Sequence, residues 1–256
     1  MSGTDPVNPA HTQAAYAVRL EQGPTGAAAV AAGADVAVVV DVLSFTTTLT
    51  VALDRGMTVY PFAWRDERAA AHAAEHDAVL AVGRLEARQG QAGVSLSPAS
   101  LAAVEGVERL VLPSPNGSSI SFALAGSGCT VVGASLRNAA AVAAWLRPQV
   151  ESGARVAVVA AGERWPDGSL RPAAEDLWGA GAVLSHLGDG DLSPEARLAV
   201  AAYELVRGGL GDELLACAGG RELVDKGFAG DVWIAAEADV STVVPVLEGP
   251  AFVDRG

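Results

Sequence analysis

The sequence predicts a protein of the α/β class, with a three-layer α/β/α architecture around a largely parallel or mixed central sheet. Apolar runs alternate with Ala-rich segments of helical spacing along the whole chain. Residues 36–43 and 155–160 are nearly unbroken apolar runs rich in Val, as expected of strands covered on both faces. Aromatic residues make up only 5% of the chain, so small side chains must fill the core and let helices pack closely on the sheet.

Taken in order, the elements follow from apolar periodicity and from the residues that interrupt it. Strands are predicted at residues 16–21, 36–43, 58–61, 78–82, 109–112, 130–133, 155–160 and 231–235. Helices are predicted at residues 27–32, 46–53, 66–76, 98–104, 120–125, 139–146, 174–187, 194–207 and 212–216. Ser97 followed by Pro98 suits a helix cap and first turn. Residues 83–98 otherwise lose periodicity and are predicted to form a long loop at the sheet edge.

The chain of 256 residues is long enough for one large α/β domain. We expect a flexible N-terminus over residues 1–14 and a single domain over residues 15–256. Gly188 to Asp191 is a candidate hinge, so two lobes with a helical part after residue 188 remain an alternative. We see no internal repeat.

The charge and the cysteine content limit the classes of function. A net charge of −13 disfavours nucleic acid and anionic membranes as partners, because both are bound through clustered Lys and Arg. The two cysteines, Cys129 and Cys217, lack metal-ligand spacing and fit a reduced protein. With no signal peptide or membrane span evident, a cytoplasmic location is expected. The expected partner is a small anionic substrate, and a homodimer is left open.

Candidate site residues follow three apolar strands, each at a polar turn that leads into a helix. If the three strands are parallel neighbours, these turns open on one edge of the sheet, where ligands of α/β proteins bind. Carboxylates suit Mg²⁺, and backbone N–H groups at a helix start suit phosphate. The three turns carry Asp41 with Thr46, Thr47 and Thr48; Asn116, Gly117 and Ser118; and Gly162 with Glu175 and Asp176.

Each of these features also has a purely structural interpretation. Asp41 could cap a neighbouring helix, the threonines could be first-turn residues, and Asn116-Gly117 could be a simple turn. Glu175 and Asp176 could complement a helix dipole. Arg84 could be an anion clamp or a surface charge, and we interpret His72 and His76 as solvated residues of an exposed helix.

Three familiar phosphate-handling motifs are absent. Haloacid dehalogenase phosphatases carry a second Asp two residues after the nucleophile, where this chain has Leu43. No Gly-Lys-Ser/Thr sequence occurs, which excludes a Walker loop. A cysteine phosphatase needs Arg six residues after its Cys, and neither cysteine has one.

The ordered set of these motifs resembles the 2-phosphosulfolactate phosphatase family from about residue 16 to the C-terminus. The motifs are Asp41-Val-Leu with Thr46–Thr48, Asn116-Gly117-Ser118, Gly133 with Asn138-Ala139, Ala161-Gly162, Glu175-Asp176 with Ala180-Gly181, Cys217 to Leu223, Asp231-Val and Val244-Pro245. The resemblance implies a Mg²⁺-dependent phosphatase of a small phosphorylated 2-hydroxy acid, with Asp41, Glu175 and Asp176 as metal ligands and catalytic acids. It implies that substrate or phosphate is bound by Thr46, Thr47, Thr48, Asn116, Gly117, Ser118, Asn138 and Gly162.

Three positions depart from the family pattern. Ser44 stands where the family has Arg, Arg84 where it has Glu, and Leu96 where it has Asn. We hypothesise that Arg84 supplies the anion-binding charge that Ser44 lacks. The alternative is a repurposed or non-catalytic protein that binds an anion or metabolite on the same fold.

Overall fold

The computed structural model describes residues 8–63, 67–90, 94–188 and 190–256. The strands are β1 (Val18–Gln22), β2 (Val36–Val40), β3 (Thr58–Phe62), β4 (Val79–Val82), β5 (Val94–Ser95), β6 (Arg109–Pro113), β7 (Thr130–Ala134), β8 (Val156–Ala160), β9 (Glu163–Arg164), β10 (Leu170–Arg171), β11 (Pro245–Glu248) and β12 (Ala251–Asp254). The helices are α1 (Gly23–Val30), α2 (Phe45–Asp54), α3 (Glu67–Glu75), α4 (Arg84–Arg88), α5 (Pro98–Leu101), α6 (Gly117–Ala125), α7 (Ala139–Glu151), α8 (Ala174–Leu187), α9 (Pro194–Val206), α10 (Leu210–Ala216), α11 (Ala218–Asp225) and α12 (Ala229–Ala235).

The central sheet is mixed and consists of two parallel groups of strands. Over the described residues its order is β1-β8-β2-β7-β11-β12-β3-β6-β4-β5. The pairs β1–β8, β8–β2 and β2–β7 are parallel, as are β3–β6, β6–β4 and β4–β5. The antiparallel hairpin β11–β12 joins the two groups through single bridges, Val246 to Val132 and Phe252 to Val59.

Alternation along β2 shows how the sheet separates two helical layers. Val36, Val38 and Val40 belong to a core cluster that includes residues of α7, α8 and α9. Ala37 and Val39 point the other way, into a cluster that includes residues of α1, α2 and α6. Both faces of a five-residue strand are thus buried, which confirms the predicted α/β/α layers.

The fold corrects the sequence-based prediction at three places. Residues 231–235 belong to helix α12, not to a strand, because Val232 and Ala235 turn one apolar face into the core while Asp231 lies in the first turn. The predicted loop over residues 83–98 contains α4 and β5 around residues 91–93, which lie outside the described part. The hairpin β11–β12 and the helix α11 were not predicted.

The predicted flexible N-terminus lies partly outside the described residues. In its described part, Pro9–Thr12 form a 3-10 helix, and the side chain of Gln13 exchanges hydrogen bonds with the backbone of Leu20. The predicted start of the third helix at Asp66 and the centre of the candidate hinge at Asp189 also lie outside the described residues. None of the helices in the described part is long and apolar enough to cross a membrane.

Candidate active site

Two buried carboxylates mark the point where β2 and β8 end side by side. Val40 and Ala160 are register partners in these parallel strands, so Asp41 and Gly162 leave the sheet close together. Asp176 lies in the first turn of α8, and its Oδ1 accepts the N–H of Val42 at 2.7 Å. Its Oδ2 accepts the N–H of Gly162 at 2.8 Å. Asp176 therefore ties the ends of both strands to the start of α8.

Asp41 connects this edge to the other parallel group of strands. Its Oδ2 accepts the N–H of Gly117 at 3.0 Å, and Gly117 begins α6 directly after β6. A Cβ atom at Gly117 would lie 2.5 Å from the Phe45 ring and 2.8 Å from Asp41 Oδ2. Only glycine lets the backbone approach the carboxylate this closely. The three polar turns therefore meet, but not as the ends of parallel neighbouring strands. β6 is not a neighbour of β2, and three antiparallel pairings, β7–β11, β11–β12 and β12–β3, separate the two parallel groups.

Burial raises the pKa of both carboxyl groups. Burial, followed by the charge of Glu163, raises the pKa of Asp41 to about 7. Burial, followed by the charges of Asp41 and Glu175, raises the pKa of Asp176 well above its ordinary value. Two negative charges close together in a buried site repel each other. Each carboxyl group is therefore harder to ionise unless a cation is bound between them.

Glu175 and Glu163 bring two further carboxylates to the mouth of the same edge. Glu175 is 3% exposed and faces Gly219, where a Cβ atom would lie 2.2 Å from Oε1 of Glu175. Burial raises the pKa of the Cys217 thiol to about 12, and the next contributions to the rise include its contact with Glu175. Glu163 accepts a hydrogen bond from Nδ2 of Asn116 at 2.9 Å, and burial raises its pKa as well.

Glu163 and Glu175 line a cleft of about 350 Å³ between the sheet edge and the C-terminal helices. Its lining includes the polar residues Ser44, Arg84, Asn116, Glu163, Glu175 and Lys226. Asp41 and Asp176 are 4% and 3% exposed and lie behind this wall. A cluster of carboxylate oxygens, two of them buried beside one another, is the donor set that a hard divalent cation prefers. Asp41, Glu175 and Asp176 bring oxygen donors of this kind to the same edge of the sheet.

Arg84 lies in the cleft, but its charge is partly matched by a neighbour. Its Nε donates to Oδ2 of Asp231 at 2.6 Å, and its Nη2 donates to the carbonyl of Leu43 at 3.0 Å. Asp231 also accepts hydrogen bonds from the hydroxyl of Ser97 and the N–H of Ala99. The guanidinium is thus oriented beside Ser44, the position where the family resemblance implies a cation.

The three threonines form local bonds rather than lining the cleft. The hydroxyl of Thr46 donates to the carbonyl of Asp41 at 2.8 Å and accepts its N–H at 2.9 Å. Thr47 donates to the carbonyl of Val42, and the hydroxyl of Thr48 lies within hydrogen-bond distance of the carbonyls of Ser44 and Leu96, between which its one proton is shared. In this geometry the hydroxyls hold the strand-to-helix turn together. The family resemblance implied that these hydroxyls donate to phosphate. The structure corrects that expectation, because their protons are already donated to backbone carbonyl groups.

The side chains of Ser118 and Asn138 are also hydrogen-bonded to the protein backbone. The hydroxyl of Ser118 donates to the carbonyl of Leu112 at 2.9 Å, which joins α6 to β6. Asn138 accepts the N–H of Ser135 at 2.8 Å and donates to the carbonyl of Val243 at 3.0 Å. Both side chains are fully buried, and neither lines the cleft. Ser118 and Asn138 therefore hold the backbone around the site in place and do not face a ligand in the cleft.

Sequence reasoning missed Glu163, Asp231 and Lys226 as members of the site. Glu163 could have been found, since it follows the buried strand β8 with the same strand-then-polar-turn pattern as Asp41. Asp231 was named only as part of the motif Asp231-Val, and the prediction of a strand at residues 231–235 gave it no place at the site. Lys226 has no local signal, because only the packing of α11 brings it to the cleft.

The protein is thus of the α/β class, with Glu163 and Glu175 lining a cleft and Asp41 and Asp176 buried beside it. The 2-phosphosulpholactate phosphatase family matches residues 26–250. The "Probable 2-phosphosulfolactate phosphatase" of Thermus thermophilus is 33% identical over 220 residues, which cover 84% of this chain and 89% of that protein. The chain belongs to the 2-phosphosulfolactate phosphatase family, a family of phosphoric monoester hydrolases. The family resemblance and the enzyme class expected from the sequence are thereby confirmed.

Proposed function

We propose that this protein is a Mg²⁺-dependent phosphatase that hydrolyses a small phosphorylated 2-hydroxy acid, with 2-phosphosulfolactate as the model substrate. The observation that carries the metal requirement is the pair of buried acids, Asp41 and Asp176, whose pKa values are both raised. Two adjacent buried carboxylates are costly at neutral pH unless a cation offsets their charge. Family membership supports the phosphatase activity.

The acids Asp41, Glu175 and Asp176 would hold the ion, with Glu163 beside them at the mouth of the cleft. A bound Mg²⁺ would neutralise phosphoryl charge and lower the pKa of a bound water. Asp176 keeps both oxygens on backbone N–H groups of Val42 and Gly162, so its position is set before any ligand enters. This preorganisation reduces the cost of ordering the site during the reaction.

Residues of the cleft wall would bind and orient the anionic substrate. Arg84 and Lys226 are the cationic side chains of the described lining, and Arg84 is held in place by Asp231. Asn116 donates to Glu163 and fixes the direction of that carboxylate. A raised pKa lets Glu163 hold a proton at its carboxyl oxygen closer to neutral pH, as a group that protonates a leaving alkoxide must.

The test is phosphate release from a panel of phosphorylated 2-hydroxy acids, measured with Mg²⁺ and after removal of metal by a chelator. We expect turnover of a sulfonated or carboxylated 2-phospho acid with Mg²⁺ only. Asp176→Asn should lower kcat by at least about 100-fold, whereas Glu105→Gln, a carboxylate-to-amide change at an exposed residue, should leave it unchanged.

Two outcomes would overturn the proposal. Full activity without metal, or of the Asp176→Asn variant with Mg²⁺, would exclude the assigned metal site. Thermal stabilisation by phosphate or sulfonates without any turnover would favour a binding protein on the same fold.

A further inference from the structure

A second group of metal-ligating side chains lies outside the acidic cleft, at the C-terminal end of helix α3 and in the residue that follows it. The sequence His72-Ala-Ala-Glu75-His76 places two imidazoles four residues apart, with a carboxylate beside the second. Ligand atoms of His72, Glu75 and His76 all lie within 4.8 Å of one another. None of the three residues lines the cleft.

Helical spacing explains why these three side chains converge. Residues three and four positions apart lie on the same face of a helix, and paired histidines at this spacing are a recurrent zinc-binding arrangement. Ala69 lies three positions before His72 and Ala73 three positions before His76, so the buried alanines are on the same side of the helix as the histidines. The histidines therefore flank the buried stripe and remain half exposed, where an ion could reach them.

Aromatic residues of β3 hold both imidazole rings. The ring of His76 stacks on Tyr60 at 4.3 Å between centroids, with 19° between planes. The ring of His72 stacks on Phe62 at 4.7 Å and 24°. The two imidazoles lie 4.5 Å apart at 77° to each other. Stacking restricts the ring orientations, so less side-chain entropy is lost when a metal binds.

The charge of the whole protein also favours a cation as the ligand, because the net charge is −13.

We propose that His72, Glu75 and His76 form a binding site for a borderline-soft divalent cation such as Zn²⁺, Ni²⁺ or Co²⁺. Imidazole nitrogen suits these ions, whereas Mg²⁺ prefers a site made of oxygen alone. The protein thus has two chemically different cation sites, an oxygen site at the sheet edge and a nitrogen-rich site on α3. The three ligands leave a coordination position for water or another ligand.

The experiment is a zinc titration of the untagged full chain by calorimetry, with Mg²⁺ in excess to occupy the acidic cleft. Wild type should bind one equivalent of Zn²⁺. The double variant His72→Ala/His76→Ala should weaken that binding at least about 100-fold, and Glu75→Gln by about tenfold. The control His11→Ala, which removes a histidine outside α3, should bind Zn²⁺ as wild type does.

Zinc-edge anomalous diffraction from wild-type crystals makes the test independent of how the variants fold. A peak between His72 and His76 supports the site. Absence of zinc binding in excess Mg²⁺, equal affinity of the double variant, or a zinc peak confined to the acidic cleft would each overturn it.

Discussion

The N–H of Gly117 donates to Oδ2 of Asp41 across 3.0 Å, although the two residues follow strands of different parallel groups in the sheet. This bond brings the loop after β6 to the end of β2. It therefore joins the two halves of the sheet at the acidic cleft. The geometry of the site depends on how closely these two backbones can approach.

Gly117→Ala should damage both the site and the fold. The added Cβ would lie 2.5 Å and 2.7 Å from Phe45 atoms and 2.8 Å from Asp41 Oδ2. Overpacking of this kind costs about 1–3 kcal/mol of unfolding free energy. We also expect kcat/KM for phosphate-ester hydrolysis to fall at least about tenfold, because the new methyl group displaces Asp41.

Gly126→Ala provides the matched control at the other end of the same helix. There the added Cβ would meet only the carbonyl oxygen of Ala123, at 3.7 Å, and φ is −79°. This variant should be neutral or slightly stabilising in chemical denaturation. Equal losses in the two variants would contradict the role of the close approach at Gly117.

The metal-free protein should lose stability as the pH rises from about 4 to about 7. The pKa of Asp41 is raised to about 7 in the folded state, against an ordinary value of 3.8. Below that ordinary value Asp41 is protonated in both the folded and the unfolded state, so its ionisation does not affect the free energy of unfolding. Between the two values the unfolded chain ionises while the folded chain keeps its proton, so the free energy of unfolding falls as the pH rises.

Urea unfolding at several pH values checks this expectation. Asp41→Asn should flatten the slope between about pH 4 and 7, while Asp225→Asn at an exposed position should not. Added Mg²⁺ should restore stability most strongly at the upper end of the range, where the ligands ionise. A wild-type slope unchanged in Asp41→Asn would contradict the raised pKa.

Arg84→Ala should weaken substrate binding more than it slows the chemical step. The guanidinium lies in the cleft beside Ser44 and is oriented by Asp231. Loss of a charge-assisted hydrogen bond to an anion raises KM by about tenfold or more. Steady-state kinetics with a phosphorylated 2-hydroxy acid would separate KM from kcat.

Arg88→Ala, on the same helix, is the control for that measurement. Its Nη1 donates to the carbonyl of Lys226 at 2.7 Å, and its guanidinium lies over the ring of Phe228. We expect at most about a twofold change in KM, because this charge has no direct contact with the cleft interior. Unchanged phosphate-ester affinity in Arg84→Ala would exclude Arg84 as the anion-binding charge.

The Cys217 thiol should react slowly with iodoacetamide in the folded protein. Burial and the adjacent Glu175 raise its pKa to about 12, so the reactive thiolate is scarce at working pH. Mass spectrometry after alkylation at about pH 8 should show modification of Cys217 at least about 100-fold slower than in denaturant. Rapid modification of the native protein would mean that Glu175 and the thiol are not in contact.

Local patterns in the sequence determined most of the fold. Apolar runs located β2 and β8, and the acids Glu175 and Asp176 were correctly placed in the first turn of α8. Such patterns can be recognised in a sequence because backbone hydrogen bonding in helices and strands repeats over a few residues. Residues 231–235 fit the pattern of a helix as well as that of a strand. Periodicity alone therefore predicted a strand where the structure has a helix.

The sequence by itself thus determined the α/β class, the family and the acids of the sheet edge. Tertiary structure alone decided which polar groups those acids meet. It placed Asp231 against Arg84, 147 positions away in the chain, and inserted the hairpin β11–β12 between two groups of strands. It also directed the hydroxyls of Thr46, Thr47 and Thr48 to nearby carbonyls. The physical reason is that long-range partners are chosen by packing and by the need to satisfy buried polar groups, neither of which has a local period.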